Sequence, residues 1–384
     1  PRSDASDHVL QILYTSGTTA LPKGVVITNA NILYAAETVR GAVGARPDDR
    51  LLIVLPLFHG AAQFHGLWVA LVTGGTAVIM PRFSASRFFQ QAHRYDATMA
   101  PLFAAPLRML LNQPRSAEDA QHRLRNVTFA QNLTERQYAD WHERFKVPLQ
   151  QLWGMTETVS VPIVSPLTGE RNLTAMGRPI LGYEVRIVDE DNQDVPVGQV
   201  GQLIVRGTPG RSVMLGYYRD PDATDRVLRT LPDGTWVYTS DIVYADKDSF
   251  IYFVDRDKDL IKRAGERISS VEIEDVIRHC DGLRDAAIVT IPDPIRDELI
   301  VAVVVADDLT LTEDAVKSFC RAHLSPFKVP ERVLFLDELP RTSVGKAQKH
   351  LIRQQLIDKG FDAWATTADT VSPAAMRSET VDHD

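Results

Sequence analysis

Between residues 50 and 130 the chain alternates apolar runs with stretches of helical spacing. Residues 51–57 are continuously apolar, 75–80 largely so, and 83–93 repeat their apolar positions with a helical period. Such alternation predicts a layered α/β domain with largely parallel strands. Residues 9–14 read as a further strand, separated by a polar loop from a helix-like stretch at about 31–43, and 147–152 read as another short strand. From 177 to 254 the pattern changes to short strands with regular turn signals, at 184–188, 201–205, 236–239 and 250–254. These predict a small antiparallel sheet or barrel. The charged run Asp255-Arg256-Asp257-Lys258-Asp259 reads as a linker. Beyond it a helix at 271–279, strands at 286–291 and 299–306, and a helix at 312–323 opened by Thr312 with Ala315 third make a compact α+β unit of domain size. A turn at 340–346 precedes a last helix at 347–356; after Lys359 the residues are small and polar, and roughly the last twenty are expected to be mobile.

The expected organisation is therefore a large α/β domain over 1–257 with an appended β-barrel-like subdomain, a small α+β domain over 258–357, and a polar tail over 358–384. A chain of 384 residues has room for that many cores. Its net charge of −8 disfavours nucleic acid as a partner. An anionic ligand would have to be held by local Lys, Arg and backbone donors against that field. Cys280 and Cys320 are the only cysteines, too few for a disulfide framework or a zinc site, which suggests a reducing cytosol. The chain opens on Pro1-Arg2-Ser3-Asp4 without an apolar signal region, and the apolar run 299–306 is too short to span a bilayer. A cytoplasmic location is expected, with no membrane partner. No internal repeat is visible.

Four short stretches carry candidate chemistry. Thr15-Ser16-Gly17-Thr18-Thr19-Ala20-Leu21-Pro22-Lys23-Gly24 supplies hydroxyls, unshielded N–H groups and one mobile cation, the donors that phosphate oxygens need. It is not a Walker loop, since Pro22 stands where the second Gly belongs and Gly24 where the Ser/Thr belongs. In isolation it reads equally as a polar connection from strand to helix. His59, directly after Leu55-Pro56-Leu57-Phe58, is expected at the C-terminal end of a strand, where α/β folds place ligands, although a lone His is more often structural. His59 and His65 lack helical metal-ligand spacing. Trp153-Gly154-Met155-Thr156-Glu157-Thr158 offers an aromatic face, a hydroxyl and a carboxylate able to hold Mg²⁺, or an ordinary strand end. Tyr238-Thr239-Ser240-Asp241 places a carboxylate at a strand end, suited to a ribose diol or to capping a turn.

Taken in order, these stretches resemble the motifs of the adenylate-forming superfamily of acyl-CoA synthetases, luciferases and peptide-synthetase adenylation domains. Residues 15–24 are similar to its phosphate loop, Trp153 to Glu157 to its aromatic-Gly-x-Thr-Glu motif, and Tyr238 to Asp241 to its ribose-binding Thr-Gly-Asp. Arg256 to Glu274 resembles its crossover motif, and Pro340-Arg341-Thr342-Ser343-Val344-Gly345-Lys346 the loop of its catalytic lysine. In Gln121-His122-Arg123-Leu124-Arg125, and in Phe253-Val254-Asp255-Arg256 with Ile261-Lys262-Arg263, the likeness narrows to crotonobetaine/carnitine-CoA ligases. Ala20, Ser240 and Ala264 stand where the family commonly has Gly, and the family carries a long segment before its phosphate loop. A front part contributed separately, or missing from a fragment, is therefore expected.

The resemblance implies an ATP-dependent acid–CoA ligase with ATP, Mg²⁺ and CoA as cofactors and a small carboxylic acid as substrate. It implies that Thr15, Ser16, Gly17, Thr18, Thr19 and Lys23 hold the β- and γ-phosphates, and that Glu157, after Thr156, coordinates Mg²⁺. Trp153 and Gly154 would pack on adenine, Asp241 with Arg256 would fix the ribose, and His59, Gly60 and Met155 would line the acyl pocket. Lys346 would stabilise charge on the α-phosphate and acyl oxygens. The small domain would turn about Lys258, so that Gly265 lines a channel for the CoA thiol. Loading of a carrier protein, a catalytically impaired homologue that only binds nucleotide or acyl group, and a homo-oligomer remain alternatives.

Overall fold

A computed structural model describes residues 8–15, 22–131, 133–169, 172–263, 266–293, 297–342 and 347–358. Its contacts divide the chain into two units. One comprises the chain to Leu260 with Arg341–Gln348, the other Ile261–Pro340 with the chain from Lys349 onward.

The larger unit opens with an antiparallel hairpin of β1 (Val9–Tyr14) and β2 (Gly24–Thr28), with Tyr14 opposite Gly24. This corrects the expected strand-to-helix connection: a second strand, β2, stands between Lys23 and the helix. The β-branched run Val25-Val26-Ile27-Thr28, on the strand side of the composition scale, is what makes β2. Thr28 ends the strand and caps the helix Asn29–Val43, its hydroxyl accepting from the N–H of Asn31.

Five parallel strands follow: β3 (Arg50–Ile53), β4 (Thr76–Ile79), β5 (Met99–Phe103), β6 (Asn126–Ala130) and β7 (Leu149–Trp153). The antiparallel pair β8 (Ile163–Val164) and β9 (Arg178–Pro179) completes a seven-stranded sheet of order β4-β3-β5-β6-β7-β8-β9. Successive strand residues face opposite sides. Leu52 accordingly joins the core formed with the helices Phe88–Arg94, Ala104–Leu111 and Glu135–Phe145, while Leu51 joins the one formed with Asn29–Val43 and Trp68–Thr73. Helices on both faces explain why the strand sequences are continuously apolar.

The subdomain is an antiparallel sheet of β10 (Glu184–Val188), β11 (Gly201–Arg206), β13 (Leu228–Leu231), β14 (Gly234–Ala245) and β15 (Ile251–Arg256), in the order β10-β11-β14-β13 with β15 also on β14. A two-residue strand, β12 (Gly216–Tyr217), leaves this region to pair with β2. The linker expected at 255–259 is instead the end of β15 and a short 3₁₀ turn, Asp257–Asp259. Asp255 is buried there, and Arg256 is spent on an ion pair with Asp241, so the charges are not a solvated run.

The smaller unit starts with the hairpin β16 (Ile261–Arg263) and β17 (Glu266–Ile268) and the helix Ser270–Ile277. A three-stranded sheet of β18 (Leu283–Asp293), β19 (Asp297–Ala306) and β20 (Arg332–Phe335) packs with the helices Glu313–His323 and Lys349–Asp358. Thr312 caps Glu313–His323 by accepting from Ala315 N–H, as its position predicts.

Candidate active site

Thr15 and Lys23 tie the neck of the hairpin loop. The Thr15 N–H donates to the Lys23 carbonyl at 3.0 Å, and the Lys23 N–H donates to Thr15 Oγ1 at 3.1 Å. Ser16, Gly17, Thr18 and Thr19 lie outside the described residues, as do Gly265 and Lys346. So does the side chain of Lys258, whose backbone is in the turn Asp257–Asp259.

Pairing of β12 with β2 sets Tyr217 opposite Val25. The Lys23 ammonium stands over the Tyr217 ring, 5.0 Å from its centroid. The Tyr217 hydroxyl donates to Glu157 Oε1 at 2.6 Å. Burial, then the adjoining Glu157 carboxylate, push the phenol well above its usual range, so it stays a protonated donor. Glu157 is buried, and its backbone carbonyl accepts from Met214 N–H at 2.9 Å.

The loop that carries Glu157 leaves β7 at Trp153. A Cβ on Gly154 would fall 2.2 Å from the Ser160 carbonyl oxygen, so only glycine fits this close approach. The buried Thr158 hydroxyl accepts Met155 N–H at 3.0 Å, and the Thr156 carbonyl accepts Val159 N–H at 3.2 Å. Val159 is held at φ +59°, a conformation that β-branched residues rarely adopt. Met155 packs at the edge of the core that contains Trp153.

Trp153 Nε1–H donates to Asp241 Oδ2 at 2.8 Å, and Asp241 Oδ1 pairs with Arg256 Nε. The indole is only 9% exposed and packs among Ile163, Met176, Tyr183 and Leu203. Its visible task is thus to orient Asp241, a contact that the motif as a sequence did not disclose. The β14 ladder is irregular on both sides of Asp241, with register shifts against β11 and against β15. Such bulges re-aim side chains beside functional sites. Here Ser240 takes φ +59°, and the Thr239 hydroxyl accepts Asp241 N–H at 3.1 Å.

His59 does not stand at a strand end. β3 stops at Ile53, and a turn closed by His59 N–H to the Pro56 carbonyl follows, because Pro56 has no N–H to extend the ladder. His59 instead caps the short helix Gly60–Ala62, its Nδ1 accepting from Ala61 N–H at 3.2 Å, and meets Phe103 edge-on. Burial and then neighbouring His59 push the His65 imidazole down to about 3. Gly60 lies against Leu13, which shares a core with Phe64, Val159 and Tyr217. The His59–Gly60 corner is thereby joined to the Glu157 loop. Among the described residues, no group of three or more His, Cys, Asp or Glu could hold a metal ion. A single buried carboxylate such as Glu157 still suits Mg²⁺, which ordinarily arrives on nucleotide phosphates and uses one or two protein carboxylates.

The model of the family described as AMP-binding enzyme matches residues 1–218. The chain belongs to the AMP-binding enzyme family. The family's C-terminal domain model matches residues 272–346. The chain is 41% identical over 348 residues to the crotonobetaine/carnitine–CoA ligase of Proteus mirabilis (strain HI4320), covering 90% of this chain and 66% of that one. It is 40% identical over 354 residues to the enzyme of that name from Escherichia coli O139:H28 (strain E24377A / ETEC), covering 92% and 67%. It thus spans about two thirds of these relatives' length. Among solved structures it is similar to ATP-bound MatB from Rhodopseudomonas palustris, with a TM-score of 0.85 and 29% identity over 92% of this chain and 69% of that one. It is also similar to the o-succinylbenzoate coenzyme A synthetase MenE from Bacillus subtilis, in complex with ATP and magnesium ion, with a TM-score of 0.79 and 28% identity over 91% and 70%. The AMP-binding fold therefore accounts for the layered α/β unit, the strand-rich subdomain and the separate C-terminal unit. No helix among the described residues is long and apolar enough to cross a membrane.

Proposed function

We propose that this AMP-binding enzyme is an ATP-dependent carboxylic acid–CoA ligase. A carboxylate resists attack by a nucleophile because it is already negative and has no good leaving group. Transfer of AMP from ATP to the carboxylate, with loss of pyrophosphate, removes the charge and supplies the leaving group. The CoA thiol then displaces AMP and forms the thioester. The observation that carries this reading is the meeting of Lys23 and Glu157 on Tyr217. It sets a cation suited to the β- and γ-phosphates beside a buried carboxylate suited to the accompanying metal.

In this reading Thr15, Ser16, Thr18 and Thr19 hold the phosphates with Lys23, and Asp241 with Arg256 binds the ribose. Trp153 backs Asp241 and borders adenine with Gly154. Mg²⁺ on Glu157 neutralises phosphate charge when bound. Lys346 adds a cation where negative charge grows on the α-phosphate and acyl oxygens. His59, Gly60 and Met155 border the acyl group. The small unit swings about Lys258 between the two half-reactions, bringing Gly265 to the thiol channel.

The relatives' names put small quaternary-ammonium acids, crotonobetaine and carnitine, at the head of the substrate panel. The test is mass-spectrometric product detection with ATP, Mg²⁺ and a panel of carboxylic acids, with and without CoA. Acyl-CoA from one acid class is the expected result. An acyl-adenylate that accumulates and ignores CoA would favour a carrier protein as acceptor. Absence of any adenylate from every acid, with ATP still bound, would overturn the ligase reading.

A further inference from the structure

We propose that Tyr217 is a positioning residue for Mg²⁺-dependent ATP binding, fixing Glu157 through its hydroxyl and Lys23 through its ring face. The inference rests on the function proposed above and assigns a task to a residue outside the phosphate, Glu157 and ribose motifs.

Three observations carry it. The first is immobility. The Tyr217 backbone is pinned by pairing with Val25 and by its N–H donating to Thr224 Oγ1 at 2.9 Å, and its ring is packed with Leu13, Phe64, Val159 and Met214. The second is that its one polar atom is spent on the Glu157 carboxylate, at a separation typical of hydrogen bonds to an ionised acceptor. That bond takes Oε1 and holds the carboxylate in place, with Oε2 assigned to a hard cation. The third is that the same ring carries the Lys23 ammonium on its face. One rigid side chain thus spans a hairpin loop near the start of the chain and a loop after β7, and sets the spacing of two groups that must grip one metal–phosphate cluster. A tyrosine serving only the core would need neither the hydroxyl bond nor the cation.

The test separates hydroxyl from ring. Tyr217→Phe keeps the packing and removes the bond to Glu157. ATP binding is followed by calorimetry as Mg²⁺ is titrated, so no catalytic turnover is needed. The Mg²⁺ concentration for half-maximal ATP binding is expected to rise about tenfold, as for other partners that orient a metal ligand, with ATP binding in the absence of metal unchanged. In a Glu157→Gln background the same substitution should have no further effect on the Mg²⁺ titration. Should the phenylalanine variant fail to fold, 3-fluorotyrosine at position 217 keeps the shape and makes a stronger donor, and the Mg²⁺ concentration for half-maximal ATP binding should then fall. A Tyr217→Phe protein that titrates with Mg²⁺ as the parent does, or a fluorotyrosine protein whose half-maximal Mg²⁺ concentration stays put, overturns the proposal while leaving the ligase reading intact. A parent protein that binds no ATP with or without Mg²⁺ overturns the ligase reading itself.

Discussion

Ser240 sits in left-handed backbone at φ +59°, exposed, immediately before the buried Asp241. A residue with a Cβ is strained there by roughly 1 kcal/mol, and glycine is not. The bulge that aims Asp241 at Trp153 and Arg256 imposes this conformation, which accounts physically for a glycine being common in the family at this position. Ser240→Gly is therefore expected to raise stability by up to about 0.5 kcal/mol, after allowing for the greater freedom of glycine in the unfolded chain. Ser240→Val should lower it, with both effects read from urea unfolding. A glycine variant less stable than the parent would show that Ser240 makes a compensating interaction. At this scale the motifs were legible as residue types: Glu157, Asp241 and Lys23 each announce a charge in a loop. Their partners were not. Tyr217 has no local signal, because its role arises only when β12 lies down beside β2, and Trp153 reads as an exposed stacking face until Asp241 is seen on its indole N–H.

In the smaller unit, the elements Ser270–Ile277 and Lys349–Asp358 are joined by buried charge. Glu274 accepts from Ile288 N–H at 2.9 Å and from Arg278 Nη2 at 3.1 Å, and the Lys349 ammonium lies 2.7 Å from its Oε1. Burial alone would raise this carboxyl, but Lys349, Arg278 and the Ile288 N–H together hold it below the usual value. Glu274→Gln removes the buried carboxylate that Lys349 and Arg278 share and is expected to cost about 3 kcal/mol. Because the folded-state value lies below the unfolded one, the contribution of Glu274 is fully present above the ordinary glutamate range. It is lost as pH falls through and below that range. Parent and glutamine variant should therefore converge in denaturation midpoint towards acid pH, and a constant gap would refute the ion-pair account. Elements whose pattern is local were legible: β1 and β10 lie where their sequences place them, and Thr312 caps as its position predicts. The β2 strand was missed because a β-branched run directly before a helix reads as a continuation of the loop. The end of β15 was missed because paired charges look like solvated ones until their partners are known. No periodicity reports that Asp255 and Asp241 face inward.

At the scale of the whole molecule, the chain divides after Leu260, two residues beyond Lys258, and Arg341–Gln348 is grouped again with the larger unit. The groups proposed to hold nucleotide, namely Lys23, Glu157, Asp241 and Arg256, all belong to the larger unit. If Lys346 acts only on charge that develops during adenylation, its removal should impair one half-reaction and spare the other. Lys346→Ala is expected to slow acyl-adenylate formation by about 10²–10³, the loss typical of one electrostatic donor in a transition state. Supplied acyl-AMP should still pass to CoA at close to the parent rate, since the thiol attacks a mixed anhydride that already has its leaving group. Pyrophosphate exchange measures the first step, and thioester formation from synthetic acyl-AMP the second. Equal loss in both would mean that the lysine supports binding or folding and does not act selectively on the first transition state. A loss confined to the first step would tie this lysine, far along the sequence from Lys23 and Glu157, to chemistry on the groups they hold.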